Sequence, residues 1–165
     1  MICYVVMGVA GAGKSRIGAA LASGLGLEFV EGDTYHAPAN VKHMEAGIPL
    51  TDDDRAEWLR SIALRIREAA SRGAGLVVTC SALKRAYRDV LRSAANDVQF
   101  IYLRGPRELI AERLANRRGH FMPVSLLDSQ FAILDEPSHD EHAWVCDVTQ
   151  SPEEIVAGLI ARVTI

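Results

Sequence analysis

Gly8-Val9-Ala10-Gly11-Ala12-Gly13-Lys14-Ser15 fits the pattern G-x-x-x-x-G-K-[ST]. An apolar run, Ile2 to Met7, leads into it as a buried strand does. A helical pattern follows, with Ile17, Leu21, Gly24 and Leu25 on one face. Strand, glycine-rich turn and helix together are the context a phosphate-binding P-loop requires. Gly8, Gly11 and Gly13 let the backbone turn tightly and approach a ligand without a Cβ in the way. The N–H groups of the loop, from Val9, Ala10 and Ala12 through to the first helical residues including Arg16, combine with the positive helix end to form an anion cradle. In such a cradle Lys14 reaches the β- and γ-phosphates and the Ser15 hydroxyl ligates Mg2+. The stretch therefore implies a nucleoside triphosphate with Mg2+.

The remaining chain sets the architecture. Leu27–Val30, Leu76–Cys80, Val98–Leu103 and Ala143–Val148 read as further strands, separated by helical patterns. A short helix is expected after Pro38. A long one opens at Asp52 with Ala56, Leu59, Ala63, Ile66 and Ala70 on its buried stripe, and Gly73 and Gly75 stop it. Ser151-Pro152-Glu153-Glu154 reads as a capping box opening the last helix. Alternating strands and helices predict an α/β fold with a parallel sheet covered on both faces. In such sheets ligands sit outside the carboxyl ends of the strands, so the loops there are the places to look for chemistry.

Composition narrows the function classes. At 165 residues the chain suits one domain, residues 1–165, with an ordinary 49% of apolar residues. A formal net charge of -3 argues against a general nucleic-acid binder. No apolar run approaches a membrane span, and the early first strand leaves no room for a signal peptide. Cys3, Cys80 and Cys146 are odd in number and widely spaced, which predicts buried free thiols and a cytoplasmic address.

Acidic and basic residues gather where strands end. Glu31-Gly32-Asp33 places two carboxylates on one side of an extended chain. One could take a proton from a substrate hydroxyl while the other helps hold Mg2+ through water, and beside a P-loop Asp33 is the leading candidate base. Otherwise the pair is a solvated strand end. His36 could donate to a substrate hydroxyl or be a surface histidine. Asp52-Asp53-Asp54 suits a helix start, and Arg55 there faces either a substrate carboxylate or those aspartates. Lys84 and Arg88, four apart on a helix, could clamp an anionic substrate. Arg113 and Arg117 lead into a glycine-containing loop like the arginine-bearing lid of small kinases, which neutralises charge on the transferred group.

Together these residues resemble the gluconate kinase (gluconokinase) family. The likeness runs through Gly8–Ser15, Gly32-Asp33, His36, Pro38, Met44, Gly47, Pro49-Leu50, Asp52–Arg55 and Trp58. It continues through Cys80–Lys84, Tyr87-Arg88, Phe100–Leu103, Arg113, Arg117, Gly119-His120-Phe121, Gln130-Phe131, Leu134 and Glu136-Pro137. The resemblance implies a P-loop NTPase fold like the nucleoside-monophosphate and shikimate kinases, a three-layer sandwich. Its five-stranded parallel sheet runs in the order 2-3-1-4-5, with a lid at about residues 117–125. It also implies transfer of the ATP γ-phosphoryl to the 6-hydroxyl of D-gluconate, commonly by a homodimer. On that likeness Asp33 is the base, and His36, Arg55, Lys84, Arg88 and His120 belong to the sugar-acid site. Arg117 and the loop from Val148 to Pro152 flank the adenine. One departure stands out: the family often has Asp-Gly-Asp where this chain has Glu31-Gly32-Asp33, which leaves the part of Glu31 in the magnesium shell open. Shikimate kinases resemble this chain in size and P-loop but carry a Gly-Gly-Gly turn where Cys80–Lys84 stands. A nucleotide-dependent sensor would lack the acceptor side that Asp33 and the cationic residues supply. A polynucleotide 5′-hydroxyl kinase would need a basic groove.

Overall fold

The computed structural model describes residues 1–117 and 123–165. Five parallel strands form one sheet in the order β2-β3-β1-β4-β5. They are β1 (Cys3–Met7), β2 (Glu28–Val30), β3 (Leu76–Thr79), β4 (Val98–Arg104) and β5 (Trp144–Asp147). β1 lies at the centre, with Cys3 opposite Leu76 on one side and Val98 on the other. Among the described residues seven α-helices connect and cover the strands: α1 (Lys14–Leu25), α2 (Pro38–Glu45), α3 (Asp52–Ser71), α4 (Arg85–Arg92), α5 (Arg107–Ala115), α6 (Val124–Ile133) and α7 (Pro152–Val163).

The period of two along each strand sorts the aliphatic run into two cores. Cys3, Val5, Met7, Leu76, Val78, Phe100 and Tyr102 pack against α3 and α4, with Trp58, Ile62, Ile66 and Leu91. Tyr4, Val6, Val77, Ile101 and Leu103 face the other way onto α1, α5, α6 and α7. Both faces of the sheet are thus covered, as continuous apolar strands demand. Among the described residues no helix is long and apolar enough to cross a membrane.

Several elements differ from the sequence expectation. The buried stripe of α3 is Arg55, Trp58, Leu59, Ile62, Ala63, Ile66 and Ala69, while Ala56 and Ala70 are only partly buried. The large Trp58 and Ile62 side chains fill the space above the sheet, and the stripe is set by where they point. Its start is fixed by Thr51, which accepts from the Asp54 N–H while the Asp54 carboxylate accepts from the Thr51 N–H. Asp54 alone of the three aspartates therefore closes a capping box. Cys3, Cys80 and Cys146 are all free, but Cys146 is only half-buried because β5 is an edge strand.

Candidate active site

The P-loop joins β1 to α1 at the carboxyl end of the sheet. Gly11 and Gly13 take φ of 82° and 98°, the left-handed region that glycine enters without strain. The Lys14 ammonium folds back over this turn and donates to the carbonyls of Gly8 and Val9, each at 2.9 Å. An ammonium has three protons, so one donor is left to face a ligand. Burial lowers the Lys14 pKa, opposed by the charges of Asp33 and Glu31. Directly behind, burial pushes the Cys80 thiol up to about 12, which makes it an inert floor to the site.

Beside the loop, β2 ends in the acidic turn. Glu31 accepts from the Ser15 hydroxyl with one carboxylate oxygen and from the Thr79 hydroxyl with the other. Thr79 also accepts from the Gly32 N–H at 3.0 Å. A Cβ on Gly32 would lie 1.8 Å from the Thr79 carbonyl oxygen, so only glycine allows β2 and β3 to approach this closely. The Trp58 indole N–H donates to the Gly32 carbonyl at 2.9 Å. A single 3-10 turn, Gly32–Tyr35, then carries Asp33 outward. His36 stacks on Trp58 with ring centroids 4.1 Å apart, and its Nδ1 is buried without a partner among the described residues. Burial lowers the His36 pKa; the Asp33 charge opposes that shift and Arg55 adds to it.

A cleft of about 620 Å3 runs between these elements. Ala10, Gly11 and Ser15 wall one side, and Glu31, Asp33, Thr34 and His36 the other. Arg117 and Gln130 also contribute to its lining. Ser15 and Glu31 bring hard oxygen donors into contact, a set that fits Mg2+ held directly by the hydroxyl and through water by the carboxylate. A second, smaller cleft is lined by Gly11 to Gly13, Arg16, Arg113, Val148, Gln150 and Pro152.

Some expected site residues sit elsewhere. Arg117, expected beside the loop from Val148 to Pro152, lines the larger cleft, and Arg113 is the arginine that accompanies that loop. The reason is that α5 ends at Ala115, so the two arginines leave a common helical face. Arg16 pairs at the surface with Glu153 on α7, 3.0 Å away. Lys84 precedes α4 in extended conformation and turns to Asp52, 3.0 Å away. Arg88 does not share its face. It points into the protein, with its guanidinium bonded to Glu141 at 2.6 and 3.0 Å and to the Ala82 and Leu83 carbonyls at 2.9 and 3.3 Å. The two side chains of that pair are 0% and 1% exposed. Arg88 thus braces the loop after β3 and has no face toward the cleft. Arg55 is also buried, donating to the Leu50 carbonyl at 2.8 Å and to the Tyr87 hydroxyl at 3.3 Å. Tyr87 in turn donates to Asp52. His120, with residues 118–122 of the expected lid, lies outside the described residues.

Sequence reading assigned no role to Gln130, although it belongs to the family likeness, and did not single out Thr79 or Glu141. Thr79 is the one hydroxyl in the strand Leu76–Thr79, and a polar residue ending a buried strand is a legible signal. Gln130 stands on the same helical face as Leu126 and Leu127. Glu141 gives no local sign of its distant partner.

A parallel sheet ordered 2-3-1-4-5 with a P-loop after its central strand, facing an acidic turn across one cleft, defines a P-loop small-molecule kinase. Comparison with known proteins agrees. A profile of the AAA domain matches residues 4–137. The gluconokinase of Gluconobacter oxydans (strain 621H) is 46% identical over 156 residues, covering 94% of this chain and 88% of that protein. Among solved structures, a sugar kinase from Janibacter sp. HTCC2649 is 47% identical with a TM-score of 0.94, covering 100% of this chain and 95% of that one. A gluconokinase from Sinorhizobium meliloti 1021 is 44% identical with a TM-score of 0.88, covering 98% and 93%. The chain belongs to the gluconokinase family.

Proposed function

We propose that this enzyme transfers the γ-phosphoryl group of ATP to the 6-hydroxyl of D-gluconate, giving 6-phospho-D-gluconate and ADP. The observation that supports it most is the cleft that the P-loop shares with Asp33 and His36. The P-loop N–H groups and the remaining Lys14 donor hold the triphosphate. Asp33 accepts the proton of the 6-hydroxyl as its oxygen bonds to the γ-phosphorus and the bond to the β–γ bridging oxygen breaks. The transition state is loose, so positioning and charge neutralisation carry most of the catalysis. Arg117, lining the cleft, offsets charge on the transferred group, and Arg113 with Pro152 and Arg16 flanks the nucleotide. Mg2+, held by Ser15 and through water by Glu31, would neutralise the β- and γ-phosphate oxygens when bound. With Arg88 committed to Glu141 and Arg55 to Leu50 and Tyr87, Lys84 is left for the sugar-acid carboxylate, with His36 on a hydroxyl. We further propose that residues 1–165 act as one kinase domain, assembled as a cytoplasmic homodimer; light scattering on the purified chain tests the assembly.

A coupled assay of ADP release across gluconate, shikimate and several other sugar acids tests the reaction. Turnover is expected with gluconate. Activity on shikimate alone overturns the reading, and ATP binding without acceleration by any acid would favour a nucleotide sensor.

A further inference from the structure

Helix α6 turns Leu126, Leu127 and Gln130 inward, so a primary amide stands on an otherwise aliphatic face. Gln130 is 8% exposed, and an amide buried there is costly unless it is hydrogen-bonded. Its Oε1 accepts from the Ala10 backbone N–H at 2.8 Å, tying α6 to the P-loop. A backbone N–H can be met only by the amide oxygen, so the NH2 end is directed away from Ala10. Among the described residues Nε2 has no hydrogen-bond partner and is not fully buried. Ala10 and Gln130 both line that cleft, as do Ser15, Asp33 and Arg117.

We infer that Gln130 is a further anchor for the terminal phosphoryl group of the nucleotide. Its Oε1 fixes the P-loop at Ala10, and its Nε2 donates to an oxygen of that group. The inference rests on the ATP-dependent phosphoryl transfer proposed above. A hydrogen bond to an anionic oxygen is stronger than one between neutral groups, so one amide donor suffices to distinguish ATP from ADP at this position.

Two variants separate this role from a merely structural staple. Gln130→Glu keeps an acceptor for the Ala10 N–H but loses the donor, whereas Gln130→Met loses both at similar volume. Calorimetry with ADP and with a non-hydrolysable ATP analogue, each as its magnesium salt, reads the difference alongside melting temperatures. In both variants analogue affinity is expected to fall about tenfold more than ADP affinity. In Gln130→Glu kcat is expected to fall about 10²-fold, with melting close to that of the unaltered enzyme. Equal losses for the two nucleotides, or none, would overturn the inference. So would selective loss in Gln130→Glu with none in Gln130→Met, which would mark simple charge repulsion. Failure of the unaltered enzyme to bind either nucleotide would instead count against the kinase reading itself.

Discussion

Asp33, Lys14 and Gly32 lie within a few residues' reach of one another, yet their substitutions should fail in different ways. Asp33 is exposed on its turn and its carboxylate makes no hydrogen bond among the described residues, so Asp33→Asn should fold normally. Its turnover should drop by about 10²–10⁴-fold, the usual worth of a positioned general base. Near-normal turnover in that folded variant would sink the assignment. Lys14→Ala should likewise keep the fold and lose about 10²–10³-fold in kcat, because the lost donor acts on developing charge. Gly32→Ala is different: the added Cβ would collide with the Thr79 carbonyl oxygen, a backbone atom rather than the end of a flexible side chain. Overpacking of this kind should cost about 2 kcal/mol or more, read as a lower denaturation midpoint in urea. At this scale the sequence was informative where the chemistry is local. The P-loop and the acidic turn each occupy one short stretch, and their residue types leave few other readings. Arg88 was not legible, because its partner Glu141 is 53 positions away and nothing nearby announces it.

Helix ends explain the other misplaced residues. Lys84 and Arg88, and Arg113 and Arg117, share the spacing that places side chains on one face, but only inside a helix. α4 begins at Arg85 and α5 ends at Ala115, so one member of each pair lies beyond the helix and turns elsewhere. A small shift of a helix boundary thus reassigned Lys84 and Arg117, although the α-helices among the described residues were anticipated as elements. The buried pair that redirects Arg88 also joins α4 to the turn His139–Glu141, with Arg92 as a second partner of Glu141. Burial alone would raise the Glu141 pKa, but the bonds from Arg88, Arg92 and the Ser138 N–H bring it from 4.5 to about 2. A carboxylate with a depressed folded pKa stabilises fully above its unfolded value and loses that contribution as pH falls through the folded one. Glu141→Gln, which leaves Arg88 buried beside a neutral amide, should therefore cost about 3 kcal/mol at neutral pH. The gap between the two proteins in urea unfolding should narrow as pH drops from 4.5 toward 2. A gap that stays constant over that range would show that Glu141 is not the group being titrated.

At the scale of the whole molecule, strand order explains why the site lies where it does. β1 is central, and its loop emerges between the ends of β3 and β4. The Gly8 N–H meets the Ser81 carbonyl at 3.3 Å, which joins the P-loop to the loop after β3. The layered architecture was legible because the central strands are apolar on both faces and the intervening patterns are helical. Which loops meet across the cleft was not, since that depends on contacts between α6 and the P-loop over 120 positions. This arrangement separates the two sides of the site in their support. The nucleotide side rests on α1, α5, α6 and α7, packed on one core, whereas the acceptor side rests on α3 and α4, packed on the other. A ligand that binds only the folded state stabilises it by about 2.7 kcal/mol at a hundredfold excess over Kd. For a chain of this size that is a rise of about 5–10 °C in melting temperature. ATP and gluconate should each raise the melting temperature of the unaltered enzyme when added alone. In Lys14→Ala the ATP shift should largely disappear while the gluconate shift persists, because Lys14 donates to P-loop carbonyls and lies on the nucleotide side. Thermal scans of both proteins with each ligand check this directly. Loss of both shifts together would mean that the acceptor side is formed only when the nucleotide is bound, and that the two cores do not support their halves of the site independently.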